Sequence, residues 1–179
     1  MSVLKHVRKW VLVLAIGTVA FWCWTYWREH RFDKQIAQAA RRYGLDPALV
    51  KAVVWQESRF DPDARGQAGE LGLMQVRETA ALEWASAEGV KPFQHTDCLD
   101  PGTNLLAGAW YLRQELRRYS QADNALPYAL ADYNAGRANV RKWLAGGAAT
   151  NSQLFLEQIR FPATRAYIRA ILRRYDHYR

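Results

Sequence analysis

Trp55-Gln56-Glu57-Ser58-Arg59-Phe60, followed by Gly72-Leu73-Met74-Gln75-Val76, is the pair of segments on which the reading of this chain turns. Asp46-Pro47 supplies an N-cap acid and a proline at the first helical position, and residues 48–56 continue without a breaker, so a helix runs up to Glu57. At about a hundred degrees per residue, Glu57 projects into the sector of Val50, Val53 and Val54, whereas Lys51 and Trp55 point elsewhere. A carboxyl among valines is poorly solvated when ionised. Its pKa therefore rises and its proton stays on near neutral pH, which a general acid requires. The competing reading of the same residue is a buried glutamate paired with an arginine. Between the two segments, residues 61–71, with Pro62, Gly66 and Gly69, form a loop long enough to line a cleft, and one that admits a short hairpin.

The rest reads as helix. Residues 33–43 stop at Gly44 and 79–88 at Gly89, and periodic segments follow over 104–119, 126–135 and 162–178. In the last of these, Tyr167, Ile168, Ile171, Leu172, Tyr175 and Tyr178 form a core stripe with Arg169 and Arg173 off it. No alternating strand pattern competes, so the fold class is all-α, or α+β at most through the hairpin. With 179 residues, 50% of them hydrophobic, the chain holds one core plus an appendage and not two full domains. Cys23 lies in the appendage and Cys98 in the main body, so no disulfide closes within the domain.

The appendage is residues 10–27, which carry no charge and are just long enough to cross a bilayer core. Tryptophans crowd its ends, with Lys5, Arg8 and Lys9 before it and Arg28 and Arg31 after it. Cleavage after Thr18-Val19-Ala20 would leave Phe21-Trp22-Cys23-Trp24 at a soluble terminus, so an uncleaved anchor is the better reading. Trp22 before Cys23 speaks against a lipoprotein signal, which needs a small residue there. Lys34, Arg41 and Arg42 make the two flanks about equally basic, and charge does not decide the topology. The expected division is a short cytoplasmic N-terminus (1–9), a transmembrane signal anchor (10–27) and a catalytic domain (32–179).

Taken in order, Glu57-Ser58, Gly72-Leu73-Met74-Gln75, Tyr133-Asn134-Ala135-Gly136 and Thr164-Arg165-Ala166-Tyr167 resemble the motifs of a lytic transglycosylase of the soluble type, with a goose-lysozyme-like catalytic domain of the glycoside hydrolase family 23 type. The resemblance covers roughly residues 33–179. It implies a lysozyme-like domain that cleaves the β-1,4 bond between N-acetylmuramic acid and N-acetylglucosamine in peptidoglycan without water, leaving 1,6-anhydromuramyl ends. Glu57 would be the catalytic acid and base, with Ser58, Met74, Gln75, Tyr133, Asn134 and Tyr167 at the saccharide. Core packing is an equal reading for Met74 and Tyr167, and Ser58 would orient the Glu57 loop. With the apolar segment as anchor, the expectation is a single-pass protein of the bacterial inner membrane, and the resemblance implies that its domain faces the periplasm or cell exterior, where peptidoglycan lies.

Two other functions stand beside this one: a hydrolytic, goose-type muramidase, and a catalytically weak wall-binding scaffold of an envelope machine. Hydrolysis needs a second carboxylate to activate water. Related goose-type lysozymes carry an acid just after the Gly-Leu-Met-Gln-Val run, where this chain has Arg77, but Glu70 is nearby. The chain departs from the resembled pattern at Gly66, where many relatives have serine, at Asp132, where alanine is usual, at Arg137-Ala138 and at Ala163. Asp132 is expected on the surface, without a chemical role. The net charge of +8 is spread over amphipathic helices with no nucleic-acid motif, so nucleic acid is not an expected partner. No residues have metal-ligand or phosphate-loop spacing; no metal or cofactor is expected.

Overall fold

Asp46 starts the organising helix as its side chain dictates: its carboxylate accepts the Ala48 N–H at 2.9 Å, and Pro47 occupies the position where no N–H is wanted. The computed structural model describes residues 2–179, with side chains from Arg8 onward apart from Lys9, so the basic flank at Lys5 and Lys9 lies outside the described side chains. In chain order the helices are α1 (Ser2–His30), α2 (Asp33–Arg42), α3 (Pro47–Ser58), α4 (Glu78–Glu88), α5 (Pro101–Arg118), α6 (Ala125–Ala135), α7 (Arg137–Trp143), α8 (Ser152–Gln158) and α9 (Pro162–Tyr178). Short 3-10 turns cover His95–Leu99 and Gly146–Ala149.

Val50, Ala52, Val53 and Val54 are fully buried, because α3 is enclosed by α2 and α9. Its alignment with α9 is antiparallel: the Tyr175 hydroxyl reaches Asp46 at the start of α3, while Tyr167 lies at its end. α5 packs against α2, α4 and α6, and contributes Leu105 and Leu112 to the same core as Tyr128, Leu130, Phe155, Ile168 and Ile171. Each such side chain stabilises the fold by about 1.5–3 kcal/mol through burial. The all-α class expected from periodicity holds. In place of a hairpin, the loop after α3 has two isolated bridges, Arg65 to Leu71 and Leu71 to Val76, and no strand is present among the described residues. Helices α7 and α8 were not expected from the sequence pattern.

α3 stops abruptly. Arg59 and Phe60 both take left-handed backbone angles, φ 53° and 63°, which non-glycine residues adopt only when their surroundings hold them there. Here the holding contacts are visible: Phe60 is buried, its carbonyl accepts from Arg31, and the Arg59 guanidinium lies over the Trp55 ring.

α1 is different in kind. It is the one helix among the described residues long and apolar enough to cross a membrane, with no buried residue in its apolar window. At 1.5 Å per residue its 29 residues span about 43 Å. Its end is tied to the helical body through Glu29, which accepts from Tyr178 of α9 and lies 3.9 Å from the Arg174 guanidinium of the same helix.

Candidate active site

Glu57 occupies the last turn of α3, and the next residue pins that turn to the glycine-flanked loop. The Ser58 hydroxyl, buried, donates to the Leu73 carbonyl at 2.8 Å and is shared with Val54. The loop itself folds around Asn104 of α5, whose amide donates to the Leu71 and Cys98 carbonyls at 2.7 Å each and whose oxygen accepts the Met74 N–H at 2.8 Å. Gly72 is required by this arrangement. Its φ is +71°, and a Cβ there would overlap the Asn104 amide and lie 2.6 Å from the Cys98 carbonyl. Gln75, also left-handed, donates to the Gly72 and Ala64 carbonyls and so closes the loop on itself.

These elements surround a cleft of about 160 Å³, lined by Glu57, Glu70, Gln75, Arg77, Tyr111, Tyr133 and Asn134 among others. The Tyr167 hydroxyl donates to Glu57 Oε1 at 2.5 Å. Tyr133 donates to the Met74 carbonyl at 2.8 Å and meets Tyr111 edge-on, ring centroids 5.7 Å apart. Burial, and next the Glu57 charge, push Tyr133 and Tyr167 well above the ordinary tyrosine range, so both remain donors at any physiological pH. Burial also dominates at Glu57 and lifts its pKa from 4.5 to about 7, against the stabilising Tyr167 hydrogen bond; Glu70 adds to the rise and Arg77 opposes it. A carboxyl with this environment can hold a proton and give it up near neutrality.

Of the residues expected from the sequence, Gln75, Tyr133 and Asn134 line the cleft with Glu57, and Tyr167 touches its carboxyl. Asn134 accepts from Thr164, which ties the end of α6 to the start of α9. Ser58 and Met74 lie beneath the cleft and do not line it. The Ser58 hydroxyl is committed to backbone carbonyls, and the Met74 side chain is fully buried against Gly108, where a Cβ would stand 2.6 Å from its sulfur. Asn104 and Tyr111 went unassigned to the site at the sequence level. Asn104 could have been suspected as a polar residue on the inner face of α5.

Asp132 overturns its surface expectation. It is 2% exposed, accepts from Tyr119 at 2.7 Å and from Arg118 at 3.0 Å, and also borders the cleft beside Tyr133. Glu115 is fully buried next to it and pairs with the same Arg118. Burial, reinforced by Asp132, raises the Glu115 pKa from 4.5 to about 7. Among the described residues no group of three or more His, Cys, Asp or Glu side chains is placed to hold a metal ion.

Residues 34–156 match the Transglycosylase SLT domain family, and the chain belongs to that family. It is 39% identical over 119 residues to the membrane-bound lytic murein transglycosylase F of Desulfosudis oleivorans, a match covering 65% of this chain and 24% of that protein. Against the soluble lytic murein transglycosylase of Escherichia coli K12 the identity is 29%, over 96% of this chain and 27% of the relative. The chain thus spans about a quarter of the length of these relatives. Among solved structures, an inactive mutant of the Pseudomonas aeruginosa lytic transglycosylase superposes with a TM-score of 0.73 at 30% identity, over 81% of this chain and 23% of that one. The 70-kDa soluble enzyme of E. coli gives 0.72 at 26%, over 82% of this chain and 24% of that one.

Proposed function

We propose that this chain is a peptidoglycan lytic transglycosylase, cleaving the glycan between N-acetylmuramic acid and N-acetylglucosamine and leaving a 1,6-anhydromuramyl end. The observation that carries this reading is Glu57: a carboxyl with a pKa of about 7, opening into a cleft and held by a tyrosine that is always protonated. Protonated Glu57 gives its proton to the glycosidic oxygen as the bond to the muramyl anomeric carbon breaks, and the departing sugar leaves as an alcohol. The substrate's own acetamido group shields the positive charge that develops. Glu57, now a carboxylate accepting the Tyr167 hydroxyl, takes the proton of the muramyl 6-hydroxyl while that oxygen bonds the anomeric carbon. Water is not consumed, and Glu57 ends as it began.

The relatives support the substrate through their names, which are those of lytic murein transglycosylases, and the matching Pseudomonas structure is of an inactive glutamate-to-glutamine mutant. The exposed apolar helix α1, joined to the domain through Glu29, supports a single-pass anchor with the domain on the peptidoglycan side of the inner membrane. On this reading residues 1–9 are cytoplasmic, 10–27 span, and 32–179 form the catalytic domain. Mass spectrometry of muropeptides released by the detergent-solubilised chain tests the reaction. Fragments lighter by one water than the hydrolysis products are expected from the wild type, and none from Glu57→Gln.

A further inference from the structure

The cleft holds a second carboxylate, and the proposed reaction leaves it without a task. Glu70 stands on the loop wall of the cleft that contains Glu57. Its Oε1 accepts from both Nε and Nη2 of Arg77, at 3.0 Å each, and its Oε2 accepts the Ala68 N–H at 3.0 Å. A carboxylate offers about four acceptor positions, and three are filled. Gly66 makes room for this arrangement, since a Cβ there would overlap Glu70 Oε2 and crowd Gln75 Oε1. The departures at Gly66 and Arg77 therefore belong to one construction, in which Glu70 fills space over Gly66 and Arg77 grips it.

We propose that Arg77 determines the outcome of cleavage: by clamping Glu70 it denies a water molecule its general base, and the muramyl cation is captured by its own 6-hydroxyl. This inference rests on the transglycosylase reading and adds a residue that selects between its product and the hydrolytic one. Burial alone would raise the Glu70 pKa, but its own and the Ala68 backbone N–H groups, together with the Arg77 guanidinium, bring it below the ordinary carboxylate value; a base so satisfied is a weak one. With Arg77 removed, Oε1 is free. A water bonded to it could then add its oxygen to the anomeric carbon and pass its proton to Glu70, while Glu57 has already protonated the leaving sugar; the result is a reducing muramyl end.

The test is the ratio of reducing to anhydro ends in muropeptides released by the full chain and by Arg77→Gln, Glu70→Gln and the double variant. The Arg77 side chain is 58% exposed and makes no cap bond at the start of α4, so its replacement leaves the fold in place. Arg77→Gln should raise the reducing fraction by roughly tenfold, and the double variant should return to the wild-type ratio, because the restored base is then absent. An unchanged ratio in Arg77→Gln alongside anhydro ends throughout would overturn this proposal while leaving the transglycosylase reading intact. Reducing ends that persist in the double variant would also overturn it. Wild-type release of mainly reducing ends would sink both.

Discussion

The two walls of the cleft carry the same functional group in opposite surroundings. On the α3 wall Glu57 is set among buried valines with one tyrosine hydroxyl for company, and its pKa rises to about 7. On the loop wall Glu70 is held by a guanidinium and backbone N–H groups, and its pKa falls. Residue type alone would make both candidates for proton transfer. In the proposed reaction these environments suit Glu57 to the acid's role and Glu70 to that of a fixed anion, a separation of roles that carboxylate pairs in glycosidases use in other ways. Behind Tyr133 the pair Glu115 and Asp132 shows a third outcome, in which two buried acids share one arginine and serve the scaffold.

The comparison breaks most sharply at Glu57 itself. Glu57→Gln should lower muropeptide release by at least about a thousandfold with an unchanged circular dichroism spectrum, since the amide keeps the shape and loses the proton. The acid pair behind the cleft should answer in stability instead: Arg118→Gln leaves two buried carboxylates without their cation, and denaturant unfolding at pH 7 should report a loss of about 2–3 kcal/mol.

Glu57 also has a stability signature of its own. Its folded pKa lies above the ordinary value, so the unfolded chain ionises first as pH rises, and stability falls between about 4.5 and 7. Glu57→Gln removes that loss. The variant should match the wild type at pH 4 and exceed it by about 2–3 kcal/mol at pH 8, read from urea midpoints at both pH values. Active-site acids that cost stability where they work are expected to behave this way.

Smaller effects sharpen the contrast between the walls. Tyr167→Phe removes the hydrogen bond that favours ionised Glu57, so the alkaline limb of the rate profile should move to higher pH and the rate at its optimum should fall roughly tenfold. Glu70→Gln removes a negative charge that raises the Glu57 pKa. Its alkaline limb should shift the other way, to lower pH, with the rate reduced by less than about tenfold and the products still anhydro-ended.

The α3 wall was legible because helical periodicity fixes where a side chain points: the Val50, Val53, Val54 and Glu57 sector follows from angle alone, and burial confirms the three valines. The Asp132 expectation failed on the same rule. Its direction away from Tyr133 was read as solvent, but α5 fills that side with Arg118 and Tyr119, and a pattern within one helix does not name the helix packed against it. The loop wall was less legible. Glu70 and Arg77 meet through turns at Gly72 and Gln75 that have no period, so their pairing was not visible in the sequence. Ser58 and Met74 belong to motifs that reach the saccharide by resemblance, yet the Ser58 hydroxyl is taken by the Val54 and Leu73 carbonyls, and Met74 is placed by Asn104 and Gly108 from α5. Helices α7 and α8, seven residues each, are too short to display a periodic stripe and are held by packing through Val140, Trp143 and Phe155.

The central claim is that the α3 wall keeps Glu57 protonated to near neutral pH, and its most direct test is a carbon-13 NMR titration of the full chain with glutamate carboxyls labelled. Glu57 is identified as the resonance missing from Glu57→Gln, which also separates it from the raised Glu115. A midpoint near 7 is the predicted result. A midpoint in the ordinary range near 4.5 would contradict the account, because Glu57 would then be ionised at the pH where it must give up a proton.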